Sequence, residues 1–177
     1  MRISHLLPVF FIFFQCNSPK NTISQSQLKK DTVLSNCPDD GTCTFNVIKN
    51  KSIEIKKDEF GATYLNTYDS DKILLKFEYN RNALDNIEDS NYTEIVYIQI
   101  NENSEKLEPI NKNLSSEKNT VFFGRLCFCR GQTGYYHINQ GELDLTKIEN
   151  DLYQINLEFN TDEVPQVINK IAEVFKL

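Results

Sequence analysis

Short runs in which apolar and polar residues alternate, rich in β-branched and aromatic side chains, most constrain what this chain can fold into. Side chains on a strand point alternately to opposite faces, so a period of two marks a strand with one face buried. The runs are CTFNVI from Cys43, SIEIKK from Ser52, KILLKFEYN from Lys72, TEIVYIQI from Thr93, TVFFGRLCFC from Thr120, GYYHIN from Gly134, ELDLTKI from Glu142 and LYQINLEF from Leu152. ATYLNT from Ala62 is a weaker ninth. Turn-forming residues separate them at Lys49 to Lys51, Asp58 to Gly61, Asn139 to Gly141 and Glu149 to Asp151. Runs of this length and spacing predict a mainly β fold, a single antiparallel β-sandwich or small barrel of 8–9 strands.

After Thr161 and Asp162 the period changes. Val164, Val167, Ile168, Ile171, Val174 and Phe175 recur at three- and four-residue steps, with Pro165 at a position that a first helical turn tolerates. This predicts a C-terminal amphipathic helix over about 163–175, packed on its own domain. The polar stretch from Asn101 to Asn119 predicts a long mobile loop.

The N-terminus reads differently. MRISHLLPVFFIFFQC places Arg2 ahead of a short apolar run, Leu6 to Phe14, that ends at Gln15 and Cys16. The run is well short of the roughly 20 residues a spanning helix needs, and matches the apolar centre of a signal peptide. Ending in FFQC, it resembles a bacterial lipoprotein signal with a relaxed lipobox, in which Phe13 and Gln15 stand where Leu and a small residue are usual. The resemblance implies cleavage after residue 15 and lipidation of Cys16. Residues 16–36, polar and without apolar period, then form a flexible tether, and residues 37–177 form the β-rich domain. The body, with its Lys- and Asn-rich strands, resembles the small exported lipoproteins of Bacteroidota-type Gram-negative bacteria, which implies no activity.

Without residues 1–15 the chain keeps 18 of its 19 basic residues against 25 acidic ones, a net charge of −7. That balance argues against nucleic acid, which needs a clustered positive footprint, and against electrostatic adhesion to anionic lipid. The partners implied are a membrane held through the lipid anchor, in the cell envelope on the periplasmic or surface face, and a protein or small ligand.

The chain has five cysteines. Lipidation of Cys16 leaves Cys37, Cys43, Cys127 and Cys129, an even set suited to disulfides in an oxidising compartment. Because side chains alternate, Val121, Phe123, Arg125, Cys127 and Cys129 share one face and Phe122, Leu126 and Phe128 the other. The expectation is a crossed pattern joining Cys37 and Cys43 each to one of Cys127 and Cys129. The local alternative pairs Cys37 with Cys43 and leaves the Cys-x-Cys strained or reduced. Two sharper readings stay open: Cys127, Cys129 and His137 as soft ligands for Cu(I) or Zn(II), and the Cys-x-Cys as a redox exchange site.

Arg125, Arg130, Gln132, Tyr135, Tyr136 and His137 cluster in sequence around the RGQTG turn, where Gly131 and Gly134 can take positive φ. They form a candidate binding surface for an anion, a carboxylate or a sugar. No nucleophile motif, HExxH or phosphate-loop spacing is present, and no cofactor is implied. The functional expectation is a non-enzymatic binding or envelope-structural module. The alternative is a small barrel-type periplasmic inhibitor or carrier similar to lysozyme inhibitors, or a Cys/His metal or thiol-redox protein.

Overall fold

The computed structural model describes residues 35–100, 107–116 and 120–177, so the signal, Cys16 and most of the tether lie outside the described residues. The chain forms nine strands in two antiparallel sheets: β1 (Gly41–Lys57), β2 (Thr63–Arg81), β3 (Tyr92–Ile100), β4 (Ile110–Asn113), β5 (Val121–Cys127), β6 (Gly134–Ile138), β7 (Gln140–Lys147), β8 (Leu152–Asn160) and β9 (Lys170–Lys176). One sheet has the order β1-β2-β3-β5-β6 and the other β4-β7-β8-β9.

Nine runs were expected and nine strands form, but the correspondence is not one to one. CTFNVI and SIEIKK join into the 17-residue β1, and ATYLNT and KILLKFEYN into the 19-residue β2. The expected turn at Lys49 to Lys51 is a bulge, with Asn50 at φ 58 and the pairing jumping from Lys49↔Ile73 to Lys51↔Asp69. Extra residues in a ladder bend it. Beyond the bulge the hairpin folds back over the outer face of its own sheet: Gln99 Oε1 accepts hydrogen bonds from Ser52 Oγ (2.6 Å) and from the Ile53 amide (3.0 Å), and Thr63 Oγ1 accepts one from the Tyr135 amide (2.7 Å). Ile53, Leu74 and Phe122 are buried in the resulting small cluster, with Ile48, Ile55, Leu65 and Tyr97 at its margin. This cover explains why β3 is buried along nearly its whole length.

The main core lies between the two sheets. Alternate residues of β2 (Ile73, Leu75, Phe77, Tyr79) meet Leu143 and Leu145 of β7 and Tyr153, Ile155, Leu157 and Phe159 of β8 in one cluster. Ring contacts cross from sheet to sheet, Phe45 to Phe175 with centroids 5.7 Å apart and Phe123 to Phe159 at 6.0 Å. Phe123, Phe159 and Phe175 are buried and Phe45 partly so; full burial of such a ring is worth roughly 1.5–3 kcal/mol.

Two expectations fail in this part of the chain. The segment 163–175 is not a helix: residues 161–169 are irregular, and β9 pairs with β8 in the register Leu157↔Ile171 and Tyr153↔Phe175. Ile171 and Phe175 are four residues apart, a spacing that keeps two side chains on one face of a helix and equally of a strand. The β-branched content of the segment and the open edge of β8 decide for the strand. Likewise the stretch 101–119 is not all loop, because it contributes β4, paired with β7, and a short 3-10 turn at Leu114–Ser116; Leu107 and Leu114 are buried. Residues 101–106 and 117–119 lie outside the described residues.

The β9 edge carries Glu173, in register with Ile155 on the core side. Burial pushes its carboxyl above the ordinary value of 4.5, and a hydrogen bond with Ser35 opposes the shift. Because the folded carboxyl holds its proton more tightly than the unfolded one, ionisation costs stability. That cost is absent below the unfolded value and grows as pH rises through the folded one. Glu173→Gln is therefore expected to raise the urea midpoint at pH 7 and to leave it unchanged at pH 4. An equal gain at both would contradict the burial account.

Candidate functional site

At one end of the five-stranded sheet, inward-facing positions stop being apolar. The register places Cys43 opposite Tyr79, Tyr79 opposite Glu94 and Glu94 opposite Arg125, with Tyr92 opposite Cys127 in the adjacent row. Glu94 is fully buried, at 0% exposure. Tyr92 donates to its Oε1 through the phenol (2.5 Å), and the amides of Val167 and Ile168 donate to Oε1 and Oε2 at 2.7 Å each. Arg125 Nε donates to the Tyr92 oxygen (3.3 Å), and its Nη1 donates to Gln132 Oε1 (2.9 Å) and to the Gln132 carbonyl (3.3 Å).

Two guanidiniums lie against the Tyr92 ring, with Arg81 Cζ 4.2 Å and Arg125 Cζ 5.3 Å from its centroid. Burial first, and the Glu94 hydrogen bond second, push the Tyr92 phenol above its ordinary range, so it stays a donor at neutral pH. Asp40 closes the network: it accepts from the Tyr79 phenol (2.7 Å) and lies 3.4 Å from Arg81 Nε without the alignment of a hydrogen bond. The buried Arg125 and Glu94 are thus linked through the Tyr92 phenol, while Arg81 and Asp40 form a second, more exposed pair at the rim.

Both disulfides are at this end, and both are local: Cys37 bonds Cys43, and Cys127 bonds Cys129. The crossed pattern is corrected by strand order. Cys43 on β1 and Cys127 on β5 are separated by β2 and β3, three strand spacings or roughly 14 Å, about twice the greatest Cα separation a disulfide tolerates. Loops this short return little chain entropy, about 2 kcal/mol for Cys37–Cys43 and about 1.5 kcal/mol for Cys127–Cys129 on the chain-entropy model.

The sequence-expected binding surface is divided between locations. Arg125 is buried and structural, and Gln132 holds it. Tyr136 packs at the margin of the main core, while Tyr135 and His137 point to the opposite face, where His137 meets the Phe122 ring at 5.2 Å. Burial pushes the His137 imidazole below its ordinary value, which keeps it neutral at pH 7. His137 sits opposite Phe122, five residues and roughly 17 Å along β5 from Cys127, so the two cysteines and His137 do not converge. Among the described residues no group of three or more His, Cys, Asp or Glu is placed to hold a metal. Gly131 and Gly134 do take positive φ, 73° and 141°. At Gly134 the Thr63 hydroxyl occupies the place of a Cβ, at 2.4 Å. Arg130 is exposed on the turn.

The loops projecting from this end expose three large apolar side chains among polar and charged ones. The β2–β3 loop, residues 82–91, follows Arg81, and the β5–β6 turn, residues 128–133, follows Cys127; Tyr92 pairs with Cys127, so the two are neighbours. Leu84 and Ile87 are 55% and 56% exposed and Phe128 is 85% exposed. Cys127, Phe128, Cys129, Arg130, Gly131 and Thr133 line an open cleft of about 510 Å³. Glu94 and the loop apolars are not among the residues expected from sequence. Glu94 was visible as an acid in the inward phase of TEIVYIQI; Leu84 and Ile87 carry no period that separates them from core residues.

Comparison of the chain with protein-family models, with curated proteins and with solved structures returns no match.

Removing the buried carboxylate strands two backbone donors and a phenol. Glu94→Ala is expected to cost about 3 kcal/mol in urea denaturation, and Tyr92→Phe about 1 kcal/mol. A loss below about 1 kcal/mol for Glu94→Ala would show that water replaces the carboxylate and that the network is not a support.

Proposed function

We propose that this protein is an exported, lipid-anchored binding module, a β-sandwich that takes hold of a protein segment with the loops at its Arg–Tyr–Glu end. The observation that carries the reading is the grouping of Leu84, Ile87 and Phe128, three large apolar side chains exposed on two adjacent loops above a rigid, hydrogen-bonded base. Isolated exposed apolars are ordinary, whereas a group on neighbouring loops is the pattern of a contact surface. Loops on a stiff β framework are also where binding residues concentrate.

The sandwich build is supported by the single core shared by the two sheets and by the ring contacts between them. The same core is filled by large side chains such as Tyr79, Phe123, Leu75 and Ile155, which favours recognition at the rim over carriage of a ligand inside.

The anchor in this proposal is Cys16, from the lipobox resemblance. The described chain begins at Ser35, bonded to Ala172 of β9, two residues before the Cys37–Cys43 loop. In this proposal the eighteen residues between Cys16 and Ser35 act as the flexible tether, whose root-mean-square reach would be roughly 23 Å, enough to hold the domain clear of headgroups. The setting is the cell envelope.

Replacing Leu84, Ile87 and Phe128 together by Ser is expected to abolish retention of a protein from envelope extract on the immobilised domain. Stability should change by no more than about 0.5 kcal/mol per site. Retention of the same protein by wild type and variant alike would overturn the rim reading. Globomycin should shift the band of the full-length chain; an unshifted band with a titratable Cys16 thiol would overturn the anchor.

A further inference from the structure

The geometry points to the Cys127–Cys129 disulfide as a thiol–disulfide exchange site that captures a cysteine-bearing protein segment covalently. This rests on the binding end proposed above and gives its partner a chemistry.

A disulfide kept for stability ties together distant parts of a chain, and this one does not. It joins residues two apart at the end of a strand whose place is already fixed by pairing with β3 and β6 and by the Arg125–Gln132 contact. Opening it releases no element of the sheet. It sits instead in the wall of an open cleft, with the exposed Phe128 between its two cysteines and Arg130 immediately after them. An aromatic gives a passing segment an apolar foothold, and an adjacent guanidinium favours the approach of a thiolate.

The two sulfurs are not equivalent. Cys127 ends β5 and packs at the margin of the main core, in register with Tyr92. Cys129 lies beyond the strand, in a turn closed by the Gln132 amide donating to its carbonyl (3.0 Å). Cys129 is therefore the sulfur open to attack and Cys127 the one held in place. The thiolate of the incoming segment attacks Cys129 Sγ, a new S–S bond forms between them, and the Cys127–Cys129 bond breaks with its electron pair leaving on Cys127 Sγ. That thiolate takes a proton from water or returns to attack Cys129 and expel the segment. The exchange is redox-neutral and reversible and needs no further oxidant. Cys37–Cys43 is the internal control, a disulfide at the same end of the sheet, seated between the first residues of the domain and β1.

The test uses the mature chain as purified from expressing cells, held under native conditions in glutathione redox buffers, then acid-quenched and mapped by mass spectrometry. The expected result is that Cys127 and Cys129 open and acquire glutathione at ratios that leave Cys37–Cys43 closed, with an unchanged circular dichroism spectrum. In Cys127→Ser the Cys129 thiolate should attack oxidised glutathione in the buffer, release one glutathione thiol and persist as a mixed disulfide, from which the thiol of a synthetic single-cysteine peptide displaces the second glutathione. Adding Phe128→Ser should lower the initial rate with the peptide several-fold.

If the Cys127–Cys129 bond resists until the domain unfolds, or opens only together with Cys37–Cys43, the proposal is overturned. If exchange occurs but Phe128→Ser leaves the peptide rate unchanged, the peptide is not guided by the rim and capture of a protein segment is overturned. Loss of the globomycin shift bears only on the anchor and leaves the exchange result intact.

Discussion

The arrangement of this protein turns on a buried carboxylate. Glu94 stands in the inward row of a central strand, and its two oxygens receive the Val167 and Ile168 amides and the Tyr92 phenol. A charge in that position is tolerated only with several charge-assisted hydrogen bonds; one comes from its own strand, and two come from consecutive amides of a segment more than 70 residues away. The irregular segment 161–169 is tied by it to the five-stranded sheet, and through Ile171 and Phe175 the same segment runs on into the four-stranded one. Gln166 supports the segment from the other side: its Oε1 accepts from the Thr161 amide and its Nε2 donates to the Ile168 carbonyl. Backbone groups that a helix would have satisfied internally are thus satisfied by side chains.

A second constraint works at the opposite end of the same sheet. The bulge at Asn50 turns the β1–β2 hairpin onto the outer face, so the central strands are covered on both sides, and Gln99 and Thr63 supply the polar contacts that seat it. With the outer face occupied there and the inner face packed on β7 and β8, the contact surface is left to the loops. Phe128, Leu84 and Ile87 stand on the end that Glu94, Tyr92 and Arg125 stiffen, which links the packing to the binding proposed for it.

Much of this was legible in the alternation. The division of Val121 to Cys127 between two faces holds, with Val121 and Phe123 in the main core and Phe122 in the cluster on the other side, and in ELDLTKI the alternating Leu143 and Leu145 enter the core. What the chain did not display was strand order. Without it Cys43 and Cys127 look like partners, whereas β2 and β3 lie between them. Nor could spacing alone choose between helix and strand for Ile171 and Phe175, since a step of four serves both, and the deciding term is the unpaired edge of β8. The residues of the candidate surface around RGQTG are contiguous in sequence but not in space. On a strand Tyr135 and Tyr136 are on opposite faces, and Arg125 was drawn inward by Tyr92 and Gln132, partners 33 and 7 residues away.

The central claim, that the buried Glu94 carboxylate fixes the irregular 161–169 segment as firmly as any strand, is tested most directly by amide hydrogen exchange at Val167 and Ile168. Loop amides normally exchange by local fluctuation, while core strands exchange only on global opening. The account predicts that these two amides exchange at the slow rate of Val96 and Ile155 and share their dependence on denaturant. Exchange at the rate of the 82–91 loop, with the core strands still protected, would contradict it.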